Sequence, residues 1–135
     1  MIPEEIASIL TSARVVAVLG AHSDPSRPAF YVPDYLAAHG YEVHPVNATM
    51  AGETLWGRPV RATLPEVGVA VDVVDVFRRS DALPAHVDEI LAMRPLPKVV
   101  WFQSGIRNDA VAKRLEAEGI TVVQSRCMLA DHRSM

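Results

Sequence analysis

Short apolar runs alternate along the chain with stretches of helical periodicity. Arg14-Val15-Val16-Ala17-Val18-Leu19-Gly20 is apolar on both faces and closes on glycine, the pattern of a buried parallel strand. Tyr41-Glu42-Val43-His44-Pro45-Val46, Val71-Asp72-Val73-Val74-Asp75-Val76-Phe77, Lys98-Val99-Val100-Trp101-Phe102-Gln103 and Ile120-Thr121-Val122-Val123-Gln124 read as four further strands. Between them the period changes. Asn108 is placed to cap a helix over Asp109–Glu118, with Val111 and Leu115 facing inward and Gly119 ending it. Ser80 is expected to cap a helix running to Met93, with Leu83, Val87, Ile90 and Leu91 as its apolar stripe and Pro95 as its stop. A shorter helix is expected from Pro33 to His39, starting at Pro33 because proline belongs in a first turn. Pro3 to Leu10 reads as an N-terminal helix. Residues 47–69 form the longest irregular stretch, holding one helical turn at Thr63-Leu64-Pro65-Glu66.

Strands alternating with helices predict an α/β fold: a single Rossmann-like domain over residues 1–135. An N-terminal helix spans about 3–11 and the core about 14–132. The expected sheet is five-stranded and parallel, in the order 3-2-1-4-5, with helices on both faces. Ligands of such sheets bind beyond the carboxyl ends of the strands, at the switch point, here expected between strands 1 and 4. That points to the segments after Leu19, Val46, Val76 and Phe102.

Composition narrows the picture. The 135 residues are 50% hydrophobic, which excludes a disordered chain and suits one domain. Thirteen Lys and Arg against sixteen Asp and Glu give a net charge of −3, so neither nucleic acid nor an anionic membrane is an expected partner. No apolar run approaches the roughly 18 residues of a membrane span. Met1-Ile2-Pro3-Glu4-Glu5 is acidic where a secretion signal would be basic, so the expected location is the cytoplasm. A single cysteine allows neither an internal disulfide nor a Cys-rich zinc site.

The strand ends carry the candidate chemistry. In Gly20-Ala21-His22-Ser23-Asp24-Pro25-Ser26-Arg27-Pro28, His22 and Pro25 stand where a dinucleotide fingerprint needs its second and third glycines. The loop must be wider than that fingerprint, but backbone N–H groups, two hydroxyls and Arg27 suit a phosphate. Strand 2 ends at Val46-Asn47, uncharged where an NAD enzyme usually places an acid for the ribose. Strand 3 ends at Val76-Phe77-Arg78-Arg79; one arginine reaching a phosphate and two solvated arginines are both open readings. Asp72 and Asp75 inside that strand could line a face, cap a loop or pair with an arginine. Strand 4 ends at Gln103-Ser104-Gly105, able to bond an adenine or ribose edge, while Trp101 reads as core. The five histidines, His22, His39, His44, His86 and His132, show no metal spacing, and neither a nucleophile elbow nor a Walker lysine is present.

These segments, in order, resemble the small stand-alone CoA-binding proteins, whose domain is similar to the CoA-binding domain of the succinyl-CoA synthetase alpha subunit. The matching pieces are Val16 to Ala21 with Arg27-Pro28, Gly40-Tyr41 with Pro45-Val46-Asn47, Val71 to Arg78, Trp101 to Ile106, and Arg126-Cys127. The resemblance implies that Gly20, Ala21, His22, Ser23 and Arg27, with Pro28 beside it, meet the phosphates of coenzyme A. It implies that Val46, Asn47, Val76, Phe77, Arg78, Gln103 and Ser104 surround the nucleotide. His22 stands where the family loop carries serine, and Ala48 stands where a proline usually follows Asn47. Two arginines and an uncharged Asn47 suit a ligand with a phosphorylated ribose, which an acid would repel. The expectation is a domain that binds coenzyme A or an acyl-CoA, with no catalytic residues and no metal. Cys127 is a thiol that CoA disulfide could modify if it lies near the pantetheine end. An NAD(P)-binding redox module and a regulatory domain with a vestigial site are the alternatives.

Overall fold

A computed structural model describes residues 2–135. The main sheet holds β1 (Val15–Leu19), β2 (Glu42–Val46), β5 (Val73–Val76), β6 (Val99–Phe102) and β7 (Thr121–Val123), all parallel. A two-stranded hairpin, β3 (Thr54–Leu55) and β4 (Arg58–Pro59), stands apart from it. The helices are α1 (Glu4–Ser12), α2 (Pro28–Ala38), α3 (Val87–Leu91), α4 (Asp109–Glu116) and α5 (Met128–Arg133). None of these helices is long and apolar enough to cross a membrane.

The single α/β domain with a five-stranded parallel sheet is as expected, but the strand order is not. The sheet runs β2-β1-β5-β6-β7, so in order of appearance the main strands lie 2-1-3-4-5, not 3-2-1-4-5. The reversal falls between β1 and the third main strand, β5. After β2 the chain passes through the hairpin and a 3₁₀ turn at Leu64–Val67, then enters the sheet on the other side of β1. Strand β2 is therefore an edge, and Pro45 is the sequence cue. Proline has no N–H for a second neighbour and is confined to edges. Along β2 the N–H of Glu42 faces β1, donating to the Arg14 carbonyl at 2.8 Å, so Pro45, three residues on, faces outward. There a single parallel bridge covers the edge: Arg61 N–H donates to the Pro45 carbonyl at 3.0 Å, and Asn47 N–H to the Arg61 carbonyl at 2.9 Å.

The two sheet faces bury separate clusters. Val16, Val18, Val73 and Trp101 pack with Ile6 and Leu10 of α1, Val32 and Leu36 of α2, and Met128 of α5. Ala17, Leu19, Val74, Val76, Val100 and Phe102 pack with Leu64, Leu83, Ile90, Val111 and Leu115. Trp101 is fully buried and donates its indole N–H to the Arg126 carbonyl at 2.7 Å, as core. Asp72 caps the start of the neighbouring strand: its Oδ2 accepts from the N–H groups of Arg14 and Val15, both at 2.9 Å. Those two backbone bonds and Lys98 hold its carboxyl below the usual range, against the opposing cost of burial.

Two helix readings change. Helix α2 starts at Pro28, which takes the first-turn place assigned to Pro33, and Pro33 lies inside it. An interior proline leaves the carbonyl four residues earlier without a donor. That carbonyl, Ala29, accepts instead from the His22 N–H at 3.3 Å, so the β1 loop supplies the missing bond. The segment after β5 is a 3₁₀ helix over Ser80–His86 followed by the short α3, because Pro84 cannot donate to the Ser80 carbonyl. The Ser80 carbonyl takes the Asn108 Nδ2 at 3.3 Å, and the Ser80 hydroxyl accepts from the Arg107 N–H rather than capping its own helix. Asn108 caps α4 as expected, accepting from the Val111 N–H at 3.1 Å. Helix α5 is not visible in the apolar pattern; only six residues long, it is tied by the Arg126–Asp131 pair, with contacts at 2.7 and 3.0 Å.

Candidate functional site: a cationic groove at the carboxyl edge

The site begins where β1 and β5 end side by side. Gly20 has φ +90°, and a Cβ there would stand 2.8 Å from the Phe77 carbonyl oxygen and 3.4 Å from Arg78 Nε. Only glycine lets the two strand ends come this close. The loop that follows is largely self-satisfied. The N–H groups of Gly20 and Ala21 donate to the Val46 carbonyl, that of Asp24 to His22 Nδ1, that of Ser26 to Asp24 Oδ1, and that of Arg27 to the Asp24 carbonyl. With His22 bound to Ala29, the Ser23 N–H is the loop amide left for a ligand among the described residues. Hydrogen bonds from the Ser26 N–H and hydroxyl hold the Asp24 carboxyl below its ordinary range.

Asn47 is buried and braces this loop. Its Nδ2 donates to the Ala21 carbonyl at 2.9 Å, and its Oδ1 accepts from the N–H and hydroxyl of Thr49 at 3.0 and 2.9 Å. Val46, Val76 and Ala21 are fully buried beside it. These residues, with Gly20, His22 and Ser23, do not line the groove that opens beyond the strand ends.

That groove encloses about 470 Å³. Arg27, Pro28 and Tyr31 come from the start of α2; Phe77, Arg78 and Arg79 follow β5; Gln103, Ser104 and Ile106 follow β6; Cys127 precedes α5. Eight of the residues singled out in the sequence thus meet on one surface: Arg27, Pro28, Phe77, Arg78, Arg79, Gln103, Ser104 and Cys127. Tyr31 and Ile106 were not singled out. Tyr31 stands 44% exposed one turn into a proline-led helix, a surface aromatic beside Arg27, and that placement was its available signal.

Three guanidinium groups and no carboxylate line the groove among the described residues. They are not equally free. Arg79 makes a two-point pair with Asp81 at 3.0 and 3.1 Å. Arg27 is 61% exposed and lies 3.8 Å from Asp24. Arg78 has its Nε buried with no hydrogen-bond partner, and its Nη2 reaches Asn47 Oδ1 only at 3.5 Å. The Glu89 carboxylate feels the Arg78 charge but forms no ion pair with it, so the guanidinium is left to take an anion. Behind Gln103 lies Asp75, fully buried, whose Oδ1 accepts from Gln103 Nε2 at 2.6 Å while Oδ2 has no partner. Burial pushes this carboxyl up to about 7, against the opposing pull of the Gln103 bond.

A second cavity of about 380 Å³ sits at the opposite end of the sheet, beside Arg14, His39, Tyr41 and His132. Tyr35 Oη and His132 Nδ1 are 2.7 Å apart there, and burial, with the His39 charge, lowers the His132 pKa. No group of three or more His, Cys, Asp or Glu among the described residues is arranged to hold a metal ion.

A profile of the CoA binding domain matches residues 14–133. The chain belongs to that CoA-binding family. Among its relatives, the Bacillus subtilis protein YneT is 34% identical over 128 residues, spanning 95% of this chain and 92% of YneT. The Thermus thermophilus structure of cell-free ID.343 superposes with a TM-score of 0.93 at 47% identity, over 99% of this chain and 98% of that one. A dinucleotide-forming acetyl-coenzyme A synthetase from Ca. Korarchaeum cryptofilum shares the fold, with a TM-score of 0.68 at 23% identity. It matches 80% of this CoA-binding domain but only 25% of the synthetase chain. The segments matched by the family profile include all three arginine-bearing walls of the groove.

Proposed function

We propose that this domain binds coenzyme A or an acyl-CoA in the groove at the carboxyl edge of its sheet, without a reaction of its own. The observation that carries the reading is that Arg27, Arg78 and Arg79 line one groove together with Phe77, Ile106 and Tyr31. Coenzyme A presents about four negative charges, on a pyrophosphate and a 3′-phosphate, and an adenine with apolar faces. The buried, unpartnered Nε of Arg78 suits one of those phosphates, because a desolvated donor gains most from a charged acceptor. The Ser23 N–H and the exposed Arg27 at the head of α2 supply further donors at the same edge. The binding-only reading is supported by a lining of cationic, amide, hydroxyl and apolar side chains in which the Cys127 thiol is the one nucleophile, with no histidine or carboxylate beside it to act as a base among the described residues.

Arg27→Ala and Arg78→Ala are each expected to weaken coenzyme A binding by about 1.5–3 kcal/mol, the weight of a hydrogen bond to a charged group. Calorimetric titration checks this, and wild-type affinity in both variants removes the assignment. Thermal stabilisation by NADPH but not by coenzyme A would replace the ligand class altogether.

Cys127 extends the proposal. It is a free, half-buried thiol on the groove wall. Its thiolate is expected to attack coenzyme A disulfide, forming a mixed disulfide with the protein and releasing one coenzyme A thiol. Intact mass after treatment of the folded protein should show one added coenzyme A. An unchanged mass places the pantetheine end elsewhere.

A further inference from the structure

Asp75 is the anomaly of the sheet. A carboxyl group lies in the middle of the central strand, opposite Val18 on one side and Trp101 on the other, with no exposure. Neither fold nor packing needs it, since an apolar side chain of similar size costs nothing to bury there. Its one hydrogen-bond partner is Gln103, a groove residue that is itself only 4% exposed.

Resting on the reading that the groove takes coenzyme A, we propose that Asp75 is a positioning residue that locks the Gln103 amide with its carbonyl oxygen toward the groove, so that this wall selects a ligand group offering an N–H or O–H. Once ionised, above its raised pKa, the carboxylate can only accept, so the atom facing it is the donor Nε2, the orientation of the 2.6 Å contact. A primary amide is planar, with Oε1 on the other side, and Gln103 lines the cavity. Without Asp75 the amide could present either end. Glutamine has several rotatable bonds, and holding one orientation before the ligand arrives removes that entropic cost from binding. A ligand group that can only accept meets a carbonyl there and is rejected, because two acceptors leave both unpaired. The ligand class is narrowed accordingly. Arginines take the phosphates, and Gln103 takes a donor, such as the exocyclic amine of a purine or an amide N–H.

The test uses Asp75→Val, which retains strand propensity and removes a buried carboxyl while leaving Gln103 Nε2 without its acceptor, and circular dichroism and thermal unfolding first check that it folds. Titration at pH 8.5 keeps the wild-type carboxyl largely ionised. Coenzyme A affinity should fall about tenfold in Asp75→Val and by a similar factor in Gln103→Ala, the scale of one hydrogen bond. The double variant should be no weaker than Gln103→Ala alone, because Asp75 acts only through Gln103. Wild-type affinity in Asp75→Val, or losses that add in the double variant, overturns the proposal. A readout without ligand separates it from the ligand assignment. The chain has two glutamines, Gln103 and Gln124, so labelling glutamine with ¹⁵N gives two side-chain amides. One Gln103 amide proton should be shifted downfield and protected from exchange in wild type, and lose both properties in Asp75→Val. Gln124, bonded to the exposed Asp109, serves as the reference. If wild type binds no coenzyme A, the ligand reading fails, and the amide signature still decides whether Asp75 positions Gln103.

Discussion

Gly20→Ala will destabilise the domain by about 3–5 kcal/mol and strip it of ligand binding. Two costs add. A non-glycine residue at φ +90° is strained by about 1–3 kcal/mol. The new Cβ also stands 2.8 Å from a backbone carbonyl oxygen, Phe77, which cannot swing aside as a side-chain tip would. Relief requires the ends of β1 and β5 to separate, and that moves Phe77 and Arg78, two walls of the groove. The thermal midpoint should fall by about 10 °C, on the scale of a few degrees per kcal/mol for a domain of this size. Gly119→Ala is the control. Gly119 also has positive φ, at +87°, but nothing lies within 4 Å of a Cβ there, so only the conformational cost applies. Equal losses in the two variants would show that the close approach of the strand ends carries no energy of its own.

Asp75→Asn is expected to make the protein more stable in alkaline solution and to leave it nearly unchanged in acid. Burial raises the Asp75 carboxyl from 3.8 to about 7 in the folded state. The folded protein therefore holds this proton more tightly than the unfolded chain. The stabilisation is complete below pH 3.8 and is lost as pH rises toward and through about 7. At 1.36 kcal/mol per unit, the loss approaches about 4 kcal/mol above pH 8. Asparagine does not titrate, and its carbonyl can still accept from Gln103. Denaturant unfolding at pH 5 and pH 9 should show the variant ahead by about 2–4 kcal/mol at pH 9 and by much less at pH 5. Taking the difference between variant and wild type cancels other titrations, including His132, whose lowered pKa works in the opposite sense. A pH-independent difference would mean that the carboxyl keeps its ordinary pKa.

Both predictions concern places where one strand meets another, and that is where sequence and structure part. The five main strands, the α4 cap at Asn108 and the turn at Leu64–Val67 are local matters. Apolar runs, a capping side chain and a proline are enough to specify them. So is the family likeness, carried by short segments in fixed order. Pro45 even carried the news that β2 is an edge, a cue that outweighs the common strand order. Strand order itself is non-local, because it depends on which side of β1 the chain takes through the connection of residues 47–72. The start of α2 and the 3₁₀ form of the segment from Ser80 differ from the sequence reading for a related reason. Pro33 and Pro84 are tolerated inside helical segments because His22 and Asn108, distant in sequence, supply donors to the carbonyls those prolines leave free.

The same division runs through the site. Residue types at strand ends were enough to bring Arg27, Arg78, Gln103 and Ser104 into view. Their sorting into groove wall and hidden brace was not legible, since Asn47 and Arg78 are both polar residues at strand ends. Only the packed chain turns the Asn47 side chain inward onto Ala21 and Thr49 and leaves Arg78 without a full partner. By itself the sequence determined the α/β class, the family and the edge of the sheet where chemistry gathers, because these follow from local periodicity and residue type. The tertiary structure decided the strand order, the membership of the groove and the coupling of Asp75 to Gln103. Each of these depends on contacts between residues far apart in the chain, whose partners no local pattern specifies.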